Sequence, residues 1–541
     1  MIHDKECYKF FVGRGNNSKV VRDAMLGREW WEEVPQGFST LYNFKWMPVS
    51  QQFNFNALQS RTVRSLINHL ENHHEITRKS SLFANLLHWS ESTHSTQMVG
   101  APAGAAGGGG GQSTAPLVPR RDHIFKIVPI TFSLSLDGAR LANPDYLNQA
   151  LAPFLSLYQI LEENKHKVKA ADGGPGGEGA PDPTGHHASP PARASLNNSF
   201  SAAPRYLQPR AQPSFTLPLS HFVGHNLWIL KPTSFNRGQG IHVFRDLDKL
   251  RELLVSYMRG QKPAAKRQLR KTGGGSTTSI LSEIAEERGG GGGSGGGGEE
   301  ATRAKQSGQG QQVAASPPHC AIRTSHFIIQ KYIERPLLVH KRKFDIRVWV
   351  LLNQQGEVFF FKEGYLRTSG SAFEIDEDNV DDHFVHLTNN AVQKFSHSYG
   401  EHEQGNTLSF EQFQRILDRE HPHPQPPCRV REHLVPQMQQ LVVKSFQAVR
   451  RKLQPKGAMF ELFGYDFILD ADFNVWLIEC NTNPCLELNA PWLELIIPRM
   501  VDDMLRLTVD LAFPRLRLRP RKPAPRPPHP VPGYTDGENM W

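Results

Sequence analysis

Three oxygen-bearing side chains near the end of the sequence interrupt runs that are otherwise apolar. They are Asp466 in FGYDFILD, and Glu479 and Asn481 in NVWLIECN. Each run reads as a strand and the acidic residues between them as a turn, so the three can face one pocket from neighbouring strands. A charge inside a buried strand is costly unless it is paired or bound to a cation. Two carboxylates and a carboxamide are hard oxygen donors of the kind that hold Mg2+ together with nucleotide phosphates. The competing reading is three solvent-facing residues on an edge hairpin.

A second segment, KPTSFNRGQGI at 231–241, follows a short strand. Gly238 and Gly240 permit a backbone that closes over phosphate oxygens with its N–H groups, and Lys231 adds a positive charge. It is neither a Walker loop nor a GxGxxG fingerprint, and an ordinary glycine turn competes. A third segment, Gln330-Lys331-Tyr332-Ile333, ends a strand and could offer backbone groups to a purine edge, although a plain buried strand is the blander explanation. In a fourth, KFDIR, alternation puts Lys343, Asp345 and Arg347 on one strand face and Phe344 and Ile346 on the other. Three charges on one face are usually solvated surface. If they floor a pocket instead, Arg347, with Arg367 on the next strand, suits phosphoryl or carboxylate groups.

The elements that must position these residues alternate between strand and helix patterns, which gives an α/β (α+β) class. YKFFV reads as a strand and SKVVRDAML as a helix that Ser18 can cap. Residues 57–89 carry apolar side chains at three- and four-residue spacing, which predicts helices. IFKIVPITFSLSL reads as a strand and the region Tyr146–Glu163 as a helix. NLWILKP, HFIIQKYI, KFDIRVWVLL and EVFFFKEGYLR read as strands, the last two joined by a turn at Asn353–Gly356. Residues 409–420, 433–453 and 492–513 read as helices. The histidines fall mostly in loops and read as solvated, and no Ser/His/Asp or Cys/His constellation stands out.

The chain has 541 residues, room for about three domains. Its 45 glycines and 39 prolines cluster in stretches too poor in apolar area to offset the entropy of ordering. The expected organisation is an N-terminal α/β domain over 1–95, a low-complexity linker over 96–122, and a continuation over 123–168. A disordered insertion follows over 169–214, then a central part over 215–258 and a Gly-rich disordered insertion over 259–318. Central and C-terminal domains occupy 319–513, and a disordered basic, Pro-rich tail 514–541. Five cysteines lack both disulfide density and zinc spacing, which predicts a reducing compartment. No apolar run is long enough to span a membrane and no secretory leader is legible, so no membrane partner is expected.

Taken together, the blocks WILKPTSFNRGQGI, IIQKYIERPLL, KFDIRVWVLL, KEGYLRTS, HLTNNAVQK, FGYDFILD and VWLIECNTNPCLE occur in the order seen in one family, with ITRKSSL as a fainter block at the front. The chain resembles the tubulin–tyrosine ligase and ligase-like family, whose fold is ATP-grasp. The resemblance covers about two-thirds of the chain, the inserts and tail excluded. It implies ATP and Mg2+ as cofactors. It places Lys79, Lys231, Arg237 and Gly238 at the nucleotide and its phosphates. It places Gln330, Lys331, Tyr332 and Ile333 at the adenine, and Lys343, Asp345, Thr388 and Asn389 at further nucleotide contacts. It makes Arg347 and Arg367 the catalytic arginines, facing the γ-phosphate and a carboxylate, and Asp466, Glu479 and Asn481 the Mg2+ ligands. The implied reaction phosphorylates a carboxylate to an acyl-phosphate, which an amine then attacks.

The same resemblance implies a free amino acid and tubulin or microtubules as partners, and a cytoplasmic, cytoskeletal setting, the cilium or flagellum included. Asn390-Ala391 stands where many glutamate-adding members carry Tyr-Ser. KYIERPLL is similar to the glycine branch and EGYLRT to the tyrosine branch, while CNTNPCLE is unlike the tyrosine ligase's own ending, so glycine, glutamate and tyrosine all remain open. The other readings are the same ligation on a non-tubulin protein and a catalytically silent microtubule-binding module. The net charge of +9 and the basic run from Arg515 to Arg526 are compatible with an acidic polymer. No aromatic residues interleave that run, so nucleic-acid readout is not expected.

Overall fold

The computed structural model describes residues 7–15, 18–35, 41–59, 64–96, 124–172, 224–235, 238–260, 323–376, 379–422, 427–453, 455, 457–515 and 530–541. The low-complexity stretches at 97–121, 173–214, 261–318 and 516–529 lie outside these residues, and so does Arg237. The described chain is a mixed α/β structure with three sheets.

The first sheet is small and parallel. Strand β1 (Tyr8–Val12) lies between β2 (Trp31–Glu33) and β3 (Phe44–Trp46), and β4 (Leu66–Ile67) extends it beyond β3. Parallel neighbours need a crossover, and the helix Ser18–Leu26 provides one between β1 and β2. The helical spacing read over residues 57–89 holds for Lys79–Thr96 but fails at Leu66–Ile67, which is a strand. The reason is tertiary. Ile67 donates its N–H to Ala458 O and accepts from Phe460 N, each at 3.0 Å, so extended pairing with a distant segment overrides the local pattern.

The second sheet is antiparallel, in the order β5-β8-β6-β7, from β5 (Thr131–Ser135), β6 (Trp228–Pro232), β7 (His242–Phe244) and β8 (His326–Lys331). Every residue of β6, WILKP, is buried, which carries Lys231 into the interior on an apolar strand. Phe132, Phe154, Trp228, Leu250 and Leu254 join this sheet to the helices Pro144–Asp172 and Leu247–Arg259 in one core.

The third sheet holds most of the candidate site. Its order is β12-β11-β10-β13-β14, all antiparallel, with short β9 (Leu338–Val339) also on β10. The other strands are β10 (Arg342–Leu352), β11 (Val358–Ala372), β12 (Thr407–Ser409), β13 (Glu461–Leu469) and β14 (Val475–Thr482). The predicted hairpin turn is present, with Gly356 at φ 83° and Asn353 N–H bonded to Glu357 O at 3.0 Å.

Both faces of β10 are covered. Phe344, Ile346, Val348, Val350 and Leu352 share one core with the helices Phe410–Glu420 and Val435–Val449. Trp349 and Leu351 share a second core with Phe10, Phe44 and the helix Pro491–Leu507. Along this second face, apolar residues give way to Arg347, Asp345 and Lys343. That corrects the expectation of a solvated charged face: Lys343 is 7% and Arg347 5% exposed.

The end of the chain is a further correction. Residues 530–541, expected as part of a disordered tail, pack against β11 and Pro491–Leu507. Val531 and Met540 are buried, Lys362 N–H donates to Met540 O at 2.9 Å, and the Trp541 ring lies 5.1 Å from that of Phe361. The composition of 514–532 masked an apolar anchor that begins at Val531, within that stretch. No helix among the described residues is long and apolar enough to cross a membrane.

Candidate functional site

Asp466 on β13 and Glu479 on β14 are cross-strand partners, and Gly464 pairs with Asn481 two rungs along, on the same side. A bulge makes this possible. The register steps from Asp466↔Glu479 to Phe467↔Leu477 and leaves Ile478 unpaired. One extra residue reverses which side chains of β14 face which side. Trp476, Glu479 and Asn481 therefore share a side, while Cys480 turns into the core at 1% exposure. The carboxamide knits the group together: Asn481 Nδ2 donates to Glu479 Oε1 at 2.9 Å and to Asp466 Oδ2 at 3.3 Å.

The arginines read from the sequence converge on the same carboxylates. Arg347 pairs with Asp466 through two bonds, the longer of them 3.0 Å from Nη2 to Oδ2. Arg367 reaches both Asp345, at 2.6 and 2.8 Å, and Asp466, at 2.8 Å. The Thr388 hydroxyl donates to Asp345 Oδ2 at 2.5 Å. Arg347 can lie across the sheet because residue 464 is glycine: a Cβ there would stand 3.3 Å from Arg347 Cδ and 2.8 Å from Pro484 Cβ.

Lysines close the other side. Lys79 Nζ lies 3.4 Å from Glu479 Oε2 and donates to Phe235 O at 3.1 Å. Lys231 Nζ donates to Gln330 Oε1 at 2.8 Å, and Gln330 Nε2 to Thr131 Oγ1 at 2.9 Å. Lys343 Nζ donates to Tyr332 Oη at 2.7 Å and to His386 O at 3.0 Å.

Gly238, at φ 76°, sits against the Leu387–Val392 segment, where a Cβ would meet Val392 Cγ2 at 2.9 Å. Asn389 in that segment caps the short helix Asn390–Gln393 by accepting from Val392 N–H. Lys331 turns elsewhere, whereas Ile333 stays on the side of β14 that carries Glu479 and Asn481. The Lys331 ammonium is held by Glu334 and by Leu227 O, and Ile333 packs on Ile468 and Trp476.

The charge balance favours an anion. Lys79, Lys231, Lys343, Arg347 and Arg367 outnumber Asp345, Asp466 and Glu479 by two when all are ionised. Burial drives Lys231 down to about 8, despite the attraction of Glu479. Burial, reinforced by Lys231, brings Lys343 down to about 7. Burial also works to raise Glu479, but Lys79, Asn481 and Lys231 overcome it and hold that carboxyl far below its usual range. Asp466 goes the other way: burial raises it and the two guanidiniums offset this only in part.

No group of three His, Cys, Asp or Glu side chains among the described residues is arranged to hold a metal. The trio at 466, 479 and 481 is instead two carboxylates and a carboxamide, already gathered by Asn481. That donor set fits a hard cation shared with phosphate oxygens.

Residues 188–515 match the tubulin-tyrosine ligase family. The chain belongs to this family. Its similarity to tubulin glycylase 3B of Tetrahymena thermophila is 26% identity over 299 residues, 55% of this chain and 19% of the relative. It is 30% identical to the probable tubulin polyglutamylase TTLL9 of Rattus norvegicus over 263 residues, 48% of each chain. Against the tubulin monoglycylase TTLL3 of Danio rerio it is 33% identical over 200 residues, 36% of this chain and 25% of the relative. The chain thus spans less than half the length of each of these relatives.

In this member of the tubulin-tyrosine ligase family, two buried histidines were missed by reading all histidines as solvated. His386, 3% exposed, contacts Tyr332 Oη at 2.8 Å and Asn379 O at 2.9 Å. His69, 1% exposed, joins the first sheet to the third: Nε2 faces Met47 O and Nδ1 faces Glu461 Oε1, each at 2.9 Å. Glu461 also accepts from Leu70 N–H at 2.8 Å and from the Thr482 hydroxyl, next to Asn481. The available signal was Glu461 opening a strand that is otherwise apolar up to Asp466.

Proposed function

We propose that this chain is an ATP- and Mg-dependent amino-acid ligase of ATP-grasp architecture that joins an amino acid to tubulin. The observation that carries the reading is the union of three oxygen donors, buried Asp466 and half-buried Glu479 and Asn481, with an excess of cations that includes Lys79, Lys231, Arg347 and Arg367. A triphosphate with a divalent cation satisfies both features at once. Relatives named for adding glycine or glutamate to tubulin support the choice of acceptor.

In this reading Asp466, Glu479 and Asn481 hold Mg2+, which supplies charge neutralisation at the phosphates when bound. Lys79, Lys231, Arg237 and the Gly238 backbone bind the phosphates. The 330–333 segment lines the adenine, and Lys343, Asp345, Thr388 and Asn389 complete the nucleotide site. Arg347 and Arg367 face the γ-phosphate and the carboxylate of the amino acid. A carboxylate takes the γ-phosphoryl group and ADP leaves. The amine then attacks the acyl carbon, the C–O bond to phosphate breaks, and the amine proton passes to solvent. No protein nucleophile is required, so the chain's contribution is positioning and electrostatics.

Incubating the protein with purified tubulin, Mg-ATP and labelled glycine, glutamate or tyrosine in parallel tests the reading. Incorporation into tubulin that Glu479→Gln abolishes supports it. Label found solely in non-tubulin proteins points to another acceptor. Absence of Mg-dependent ATP binding would leave a silent microtubule-binding module.

A further inference from the structure

His386 has no part in the reaction just described, yet its ring closes a network on Lys343. It ends the one-turn helix His383–His386 and is buried. Nε2 lies 2.9 Å from the Asn379 carbonyl oxygen, which can only accept, so Nε2 carries a hydrogen. Burial, helped by the nearby Lys343 charge, brings the ring down to about 4. At neutral pH Nδ1 is therefore an unprotonated acceptor, and the Tyr332 hydroxyl 2.8 Å away donates to it. That leaves the Tyr332 oxygen to accept from Lys343 Nζ at 2.7 Å, and the His386 carbonyl takes a second N–H at 3.0 Å. An ammonium has three N–H bonds. Two are fixed by these acceptors, which sets the direction of the third. The Lys343 nitrogen also stands 4.3 Å from the centre of the Tyr332 ring, against whose face a cation is stabilised.

We propose that His386 is a positioning residue for nucleotide binding: through the Tyr332 hydroxyl and its own carbonyl it holds Lys343 as a charged donor aimed at the bound nucleotide. This deepens the ligase reading and rests on it. The charged groups bearing on Lys343 are Lys231 from β6, which opposes its charge, and Asp345 on its own strand, which favours it. Tyr332 and His386 supply the neutral acceptors. Phe373 backs the assembly, its ring 5.9 Å from Lys343 Nζ and 6.2 Å from the His386 ring.

The test is calorimetric binding of Mg-ATP to the full chain between pH 6.5 and 9. His386→Ala should weaken binding about tenfold, the scale of one hydrogen bond to a charged group, and move the pH midpoint of binding down. His386→Asn, whose Oδ1 replaces Nδ1 as acceptor, should restore most of both. Tyr332→Phe should lose as much as His386→Ala, and the double variant little more, because both act on one network. Wild-type affinity and midpoint in His386→Ala, or a His386→Asn variant as weak as the alanine, overturns the proposal. If the alanine variant fails to fold, wild-type binding by Tyr332→Phe overturns it equally. A wild-type protein that does not bind Mg-ATP sinks the ligase reading itself, an outcome distinct from variants that bind as well as a competent wild type.

Discussion

Lys79 and Glu479, from opposite ends of the chain, meet at 3.4 Å between Nζ and Oε2. The contact ties the helix Lys79–Thr96 to the last strand of the third sheet and places a cation beside a carboxylate proposed to hold Mg2+. Glu479→Gln keeps the shape and can keep the bond from Asn481 while removing the charge. Turnover should fall by about a hundredfold or more, beyond the 10–100-fold typical of residues that only support a metal ligand. The protein should still fold cooperatively, with a melting temperature lowered by loss of the attraction to Lys79 and Lys231. Unchanged turnover in the incorporation assay would dismiss the metal assignment.

Arg367 is the only side chain among the described residues that pairs with both Asp345 and Asp466. Removing it as Arg367→Ala leaves these buried carboxylates short of a partner, a change that costs about 3–5 kcal/mol. Arg367→Lys should recover little, because an ammonium lacks the fork that spans two acceptors. Urea denaturation measures both; an alanine variant within about 1 kcal/mol of wild type would contradict the network's role.

Two lysines at the proposed nucleotide site titrate near neutrality, Lys343 at about 7 and Lys231 at about 8. Both values are depressed by burial, so each amine is cationic below its value and neutral above it. Positive charge facing the phosphates drains away as pH climbs from 7 to 9. KM for ATP should rise several-fold over that interval, about tenfold for each 1.4 kcal/mol of lost attraction. A flat KM from pH 6.5 to 9 would exclude these amines as phosphate partners.

Residues 530–541 anchor through Met540, Val531 and Trp541, with Tyr534 Oη donating to Glu363 at 2.8 Å. Met540→Ala alone should destabilise by about 2–5 kcal/mol, as other buried truncations do. Loss of less than about 0.5 kcal/mol in chemical denaturation would show that the segment merely rests on the surface.

The helix Leu247–Arg259 ends at Gly260, φ 67°, and a Cβ at that glycine would lie 3.8 Å from Arg323 Cβ. The two ends flanking 261–322 therefore already meet. Replacing that stretch with a few Gly and Ser residues should leave folding and activity intact, because a shorter closure costs less entropy. Loss of the folded state on circular dichroism would show that the insert contributes packing.

Much of the third sheet was legible because its signals are local. Alternation in KFDIRVWVLL put Lys343, Asp345 and Arg347 on one face, and the hairpin at Asn353–Gly356 followed from its turn residues. Their burial was not legible, since it comes from other elements: Tyr332 and His386 close over Lys343, and Asp466, itself paired with Arg367, meets Arg347. The bulge at Ile478 was hidden as well. Strict alternation from Trp476 would have aimed Ile478 and Cys480 at the site in place of Glu479 and Asn481. Strand β4 was lost to helical spacing because its pairing is tertiary, with β3 on one side and the Ala458–Phe460 segment, some 390 residues away, on the other.

Strand β10 sits in the middle of its sheet, with β11 on one side and β13 on the other. Sliding it by a single position would drive three charged groups into oil and bring Phe344 and Ile346 out into the proposed nucleotide site. Misassembly of this strand therefore cannot hide inside a well-packed molecule: the pairing that lets the protein exist at all is the same pairing that lets it work.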